Sequence, residues 1–320
     1  MNSLPLLTIC IPTYNRIKKA INVAQAFLNQ KNDDFEIKIY DNASDGGDEL
    51  KSFCEENGIE YIRRLVNIGP GANIMRLFEE SYSEWLIIFS DDDFPSKNFV
   101  HEVLKLLKNE SKNNTIAFKS KTKINSNQLD GNIDSLNEFS FYNSDSRNFG
   151  STLLISSWIF NRKILIESIR FSYLYFGFQA PHVIIVMYSL FERKGVVKYL
   201  SSELLEHRPA NASDSWSSGL TYTLMLSTLP AIHFLGKKEI KYLTMGIVGK
   251  SSKNVLGNLL RLKTHNNGIA FSQISKTTSR STFRNLLLVC IFRVFNYLIP
   301  QKMKEIYFDK IMDRDNIKRM

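Results

Sequence analysis

Cysteine is scarce and scattered. Cys10, Cys54 and Cys290 are the three in 320 residues. Their number is odd, their separations are long, and no pair has metal-site spacing. That excludes a disulfide scaffold and a cysteine-based zinc module, and it points to a reducing, cytosolic compartment. The chain opens Met1-Asn2-Ser3-Leu4-Pro5 with neither a charged region nor a long apolar one, so no secretory leader is expected. No internal repeat is present. The Gly-rich segment Asn67-Ile68-Gly69-Pro70-Gly71-Ala72-Asn73 matches neither the dinucleotide fingerprint nor the phosphate loop, because no Gly-Lys-Ser/Thr follows. Basic residues are not interleaved with aromatics in the first half, which argues against a nucleic-acid partner.

What is present is ordinary globular composition, 43% hydrophobic and 23% charged, with length for one large or two smaller domains. The net charge of +9 is unevenly placed. Residues 233–320 carry 17 Lys and Arg against 5 Asp and Glu, leaving the preceding part slightly acidic. A basic tail on such a body suggests an anionic surface as partner. The apolar stretch Asn285 to Ile299 is too short to span a bilayer and contains Arg293. With Arg280, Arg284, Lys302 and Lys304 flanking it, it suits an interfacial helix on anionic lipid, or else a core helix.

Hydrophobic periodicity alternates between strand and helix. Strand patterns cover Leu6–Ile11, Phe35–Tyr40, Ile59–Arg63 and Trp85–Phe89; helical spacing covers Lys18–Asn29, Glu49–Asn57, Asn73–Ser81 and Asn98–Leu107. The alternation predicts an α/β fold with a mostly parallel sheet flanked by helices. Ile116–Ser120 and Val196–Leu200 read as later strands and Val183–Phe191 as a buried helix. Asn125–Asn148, rich in Asn, Ser and Asp, reads as a long surface segment, and beyond about residue 218 the pattern is mainly helical and basic.

Chemistry-bearing residues cluster after the strand patterns. Ser90-Asp91-Asp92-Asp93 directly follows Trp85–Phe89, placing hard oxygen ligands at the carboxyl edge of the sheet, where open α/β sheets bind ligands. Crowded carboxylates repel unless a cation or water separates them, so a divalent metal holding a diphosphate accounts for them economically; a solvated acidic loop is the plainer alternative. Pro12-Thr13-Tyr14-Asn15-Arg16 follows the first strand, where Pro12 turns the chain outward and frees the backbone of Thr13 and Tyr14 for a ligand. An ordinary turn with Asn15 as helix cap reads equally well. Asp41, opening Asp41-Asn42-Ala43-Ser44-Asp45-Gly46, can accept from a nucleobase or cap its own turn. His182 has a side chain suited to taking a proton near neutrality, or is a helix-start histidine hydrogen-bonded to backbone; Glu203 and Glu206 are alternative bases, Glu206 also being placed to pair with Arg208. His207, Arg208 and Trp216 lie in a segment that can serve as a lid, with the cations reaching a diphosphate and Trp216 stacking on a sugar, or as a structural loop.

The order of these motifs within about 90 residues resembles the family 2 glycosyltransferases of the GT-A fold. The stretches Ile155–Ile159 and Tyr175–Val183 extend the likeness to the subgroup of bacterial abequosyltransferases of O-antigen assembly. The resemblance implies a GT-A domain over 1–217, with a donor-binding half 1–110 and an acceptor half 111–217, then a basic helical region 218–320. It implies a nucleoside diphosphate sugar donor held by Pro12, Thr13, Tyr14, Asn15, Arg16, Asp41, Asn67, Gly69 and Asp91. Mn²⁺ or Mg²⁺ would sit on Asp92 and Asp93. The acceptor would be a lipid-linked, polyprenyl diphosphate glycan, met at the inner face of the cytoplasmic membrane, with inversion at the anomeric carbon. Ser90 stands where the family often has Asp, and Ala180-Pro181-His182 stands where many members carry an acidic pair. This departure leaves open a catalytically inactive nucleotide- or glycan-binding homologue.

Overall fold

The computed structural model describes residues 4–30, 32–110, 114–123, 128–206 and 218–249. In chain order the first half comprises β1 (Leu7–Thr13), α1 (Ile17–Leu28), β2 (Phe35–Asp41), α2 (Gly47–Asn57), β3 (Glu60–Arg63), α3 (Pro70–Glu80), β4 (Trp85–Ile88), β5 (Phe94–Pro95) and α4 (Phe99–Asn109). There follow β6 (Thr115–Lys121), β7 (Gly131–Ile133), α5 (Leu136–Tyr142), α6 (Ser146–Leu153), β8 (Trp158–Asn161), α7 (Arg162–Leu165), α8 (Ile169–Leu174), α9 (Pro181–Phe191), β9 (Val196–Glu203), β10 (Leu205–Glu206), α10 (Ser218–Thr228) and α11 (Lys237–Val248).

Eight strands form one sheet in the order β3-β2-β1-β4-β8-β6-β9-β7, and β5 pairs with β10 apart from it. The pairings β1–β2, β1–β4, β2–β3 and β6–β9 are parallel. β8 enters antiparallel between β4 and β6, and β7 runs antiparallel to β9. The sheet is therefore mixed, with the parallel pairings in the majority. Parallel strands covered on both faces need apolar side chains on both. In β1, Leu7, Ile9 and Ile11 pack with Ala20, Val23, Ala24 and Phe27 of α1, whereas Cys10 faces the other layer with Leu77 and Phe78 of α3. Phe27 anchors the first layer by edge contacts to Phe89 and Phe99, with centroids 4.9 and 5.5 Å away.

The segment 125–148 departs from its expected surface character. Within its described part lie β7, α5 and the start of α6, with Ile133, Leu136 and Phe139 buried. Three apolar anchors among Asn, Ser and Asp suffice to seat it, too sparse a stripe to read as periodic. Helices α10 and α11 lie at the start of the region 218–320, of which residues 250–320 are outside the described residues. The stretch 285–299 lies outside the described residues. Among those residues no helix is long and apolar enough to cross a membrane.

Candidate active site

The chain runs β1, β2, β3 outward and returns to β4 on the other side of β1. Such a reversal opens a crevice at the carboxyl ends of the two strands flanking it. A cavity of about 290 Å³ occupies that place. Pro12, Thr13, Tyr14 and Arg16 line it after β1, and Ser90, Asp91 and Asp92 after β4. Asn42 and Asn67 line it from the loops after β2 and β3, Pro70, Asn73 and Ile74 from α3, and Ile155 from a short 3₁₀ turn, Ile155–Ser157.

Each loop is held by specific bonds. The Thr13 hydroxyl donates to Asp91 at 2.7 Å, joining the two flanks of the crevice. Arg16 bridges Asp91 and Asp92, and Lys19 reaches Asp92 at 2.8 Å. The backbone carbonyl of Thr13 is taken by Asn42 N–H at 2.9 Å, so it is less free for a ligand than Pro12 suggests. Arg16, not Asn15, occupies the cap position of α1. Asn15 adopts a left-handed conformation, accepts from Asp45 N–H at 2.8 Å and donates its own N–H to Ser44 Oγ at 2.8 Å, which locks the loops after β1 and β2 together. Asn42 in turn donates to Asn67 at 2.9 Å and accepts from Ile68 N–H at 3.0 Å. Gly69, with φ +81°, makes the bend that sets Pro70 at the start of α3 on the cavity wall.

Five of the expected site residues do not line the cavity: Asn15 and Gly69, which shape its loops, and Asp41, His182 and Asp93. Asp41 is fully buried, accepting from Ser44 N–H at 2.8 Å and from the Tyr61 hydroxyl at 2.7 Å, with Arg63 at 3.3 Å. Both of its oxygens are thus spent on closing the loop, and its neighbour Asn42 faces the cavity instead. His182 is enclosed in the apolar layer beside Phe160, 4% exposed. Burial lowers its pKa to about 4, the Thr152 carbonyl opposes this, and Lys119 adds to the fall. It is a neutral core histidine whose Nδ1 has no partner, away from the cavity lining. Asp93 does not line the cavity either; it ends the acidic loop with its Oδ2 buried and unpartnered. His207, Arg208 and Trp216 lie outside the described residues. Of the lining residues, Ile74 carries no signal in sequence beyond helix periodicity.

Burial raises the Asp91 carboxyl above the ordinary range, against the pull of Thr13 and Arg16, while Asp92 adds to the rise. Asp93 is raised by burial and by Asp92, with the Ser156 hydroxyl opposing. No cluster of three or more acidic, histidine or cysteine ligands occurs among the described residues. The two carboxylates nevertheless fit a hard cation of the Mg²⁺ kind, which is typically held by one or two carboxylates plus phosphate oxygens and water. Asp93 supplies an uncommitted buried oxygen and Asp92 an exposed carboxylate at the rim.

Comparison with known proteins decides the family: the model of glycosyl transferase family 2 matches residues 8–170. The chain belongs to that family. It is 36% identical over 99 residues to abequosyltransferase RfbV of Salmonella typhimurium, covering 29% of this chain and 30% of that protein. The cellulose synthase catalytic subunit (UDP-forming) of Pseudomonas fluorescens is 29% identical over 101 residues, 30% of this chain and 13% of that one. These matches span less than a third of either relative. Among solved structures, S. aureus TarS in complex with UDP-GlcNAc superposes with a TM-score of 0.55 at 13% identity, covering 88% of this chain and 83% of that one. Mannosyltransferase PcManGT from Pyrobaculum calidifontis, in complex with GDP-Man and Mn²⁺, gives 0.50 at 11% identity over 96% and 84%. The family 2 chain therefore has the GT-A glycosyltransferase fold.

Proposed function

We propose that this family 2 chain transfers a sugar from a nucleoside diphosphate sugar to a hydroxyl of a lipid-linked glycan in O-antigen or related surface-polysaccharide assembly. The observation that carries the reading is the meeting of the loops after β1, β2, β3 and β4 around one 290 Å³ cavity, with the acidic loop on its wall. Asn42, Asn67 and Tyr14 offer amide and aromatic surface for the nucleoside, and Arg16 and Lys19 offer cations to the diphosphate. Asp92 and Asp93 would hold Mn²⁺ or Mg²⁺. When bound, such a cation neutralises charge building on the leaving diphosphate. Arg16 and Lys19, which pair with Asp92 in this structure, would be available to the phosphates if Asp92 held a cation instead. The abequosyltransferase likeness supports the O-antigen context, and the basic C-terminal part supports work at an anionic membrane face. Inversion at the anomeric carbon follows from the family resemblance.

The burial of His182 favours a second reading, a nucleotide- or glycan-binding homologue without turnover. One experiment separates them. Nucleotide release is measured with UDP, GDP, CDP and dTDP sugars, with and without Mn²⁺, using membrane lipid extract as acceptor. Metal-dependent release with one donor establishes the transferase; binding by calorimetry without release establishes the binder.

A further inference from the structure

The turn Ile155–Ser157 brings the acceptor half to the donor cavity. Ile155 lines the cavity. The Ser156 Oγ accepts from Ser90 N–H at 2.8 Å, and its hydroxyl opposes the rise of the Asp93 carboxyl. Ser157 points the other way, into the core, where its Oγ accepts from Lys119 Nζ at 2.6 Å while donating to the Leu154 carbonyl at 2.5 Å. Two adjacent serines on one short turn thus link the acidic loop to Lys119.

Lys119 is an unusual anchor. It sits on β6 with 0% exposure. Its other two contacts are the Ser120 carbonyl at 3.1 Å and Ser151 Oγ at 3.2 Å. Three ammonium protons therefore meet three oxygens, none of them a carboxylate. The neighbours on adjoining strands are Trp158 of β8, whose ring centroid is 5.7 Å from Nζ, and Tyr199 of β9. From α9 the facing titratable group is His182, and from α6 come only hydroxyls. A buried cation without a counter-charge is costly, which explains why burial alone lowers the Lys119 pKa to about 7.

We propose that Lys119 is a positioning residue for the acidic loop: through Ser157 it fixes the Ile155–Ser157 turn, and through Ser156 that turn fixes the Ser90 backbone from which the loop starts. The proposal rests on the reading that this loop meets the donor diphosphate. It carries a built-in pH signature. The ammonium has three protons to give, whereas the neutral amine has two and a lone pair. Ser157 already spends its own proton on Leu154, so deprotonation breaks or reorients one of the three contacts. Donor affinity is therefore full below the titration of Lys119 and falls as pH rises through it.

The test compares wild type, Lys119→Met and Ser156→Ala. In the free proteins, hydrogen exchange of the Ser90 amide is followed across pH 6–9, corrected for the intrinsic pH dependence of exchange. The proposal expects wild-type protection at Ser90 to drop above about pH 7, and both variants to exchange about tenfold faster there at low pH, with core amides of β1 unchanged. Calorimetry with Mn²⁺ and whichever of UDP, GDP, CDP or dTDP binds wild type should show about tenfold weaker binding in each variant. The pH slope seen in wild type should be absent from Lys119→Met. Wild-type protection at Ser90 in Lys119→Met overturns the proposal, as does a loss that merely parallels a lowered Tm. If no nucleotide binds wild type, the donor-site reading fails by itself, and the Ser90 amide still decides the role of Lys119.

Discussion

Two fully buried titratable side chains, Asp41 at the end of β2 and Lys119 on β6, are accommodated by opposite means. Asp41 closes its loop with a phenol, a backbone N–H and the Arg63 guanidinium, so a counter-charge reaches it from the surface. Lys119 has hydroxyls and a carbonyl and no acid. A cation solvated by dipoles alone is left free to shed its proton. Lys119 is thus a titratable anchor, whereas Asp41 is a carboxylate committed to closing its loop.

The largest test of the donor half strikes the acidic loop. Asp93→Ala should lower turnover by roughly three orders of magnitude or more while the circular dichroism spectrum is retained, because a charge-stabilising cation is worth several kcal/mol at the transition state. Retained metal-dependent turnover would end the assignment of Asp93 to the metal. Next in size, Asp41→Ala strands Tyr61, the Ser44 amide and Arg63, and should cost about 3 kcal/mol in urea unfolding. A loss below ~1 kcal/mol would show that this closure matters little to the fold.

On the acceptor side the effect is smaller and has a sign. Lys119 binds its proton less tightly folded, near 7, than unfolded, near 10.5. Between those values the unfolded chain holds more protons, so native stability rises with pH across that window and is lowest below it. Lys119→Met should flatten the rise in Tm between pH 7 and 10 and leave Tm at pH 7 equal or higher. His182 obeys the same sign between about 4 and 6.5, so His182→Gln should flatten the lower window. The smallest effect is expected from Gly69→Ala, which forces a side chain into a positive-φ bend and should cost about 1 kcal/mol.

The donor half was legible because its signals are local. β1, β2 and β4 are apolar runs that end in turn or acidic residues, and the loops after them fall on one edge once the strands are parallel. Asp41 shows the limit of that legibility: sequence marks the right loop, but only packing shows that Asp41 turns inward and Asn42 outward. His182 shows another, since Pro181 announces a helix start without saying which face is buried. Ser156, Ser157 and Lys119 have no periodicity to betray them. They meet because β8 slots between β4 and β6, a pairing across more than 35 residues on one side and more than 70 on the other.

That insertion also bears on the order in which the protein is made. Until β8 has left the ribosome, β4 has β1 on one side and a row of unpaired backbone groups on the other. A nascent chain that has completed α4 thus presents most of the crevice wall, without Ile155, on a sheet with a sticky edge. Such edges recruit other strands. The first 110 residues, synthesised alone, should aggregate, and extending the product through Asn161 should restore solubility.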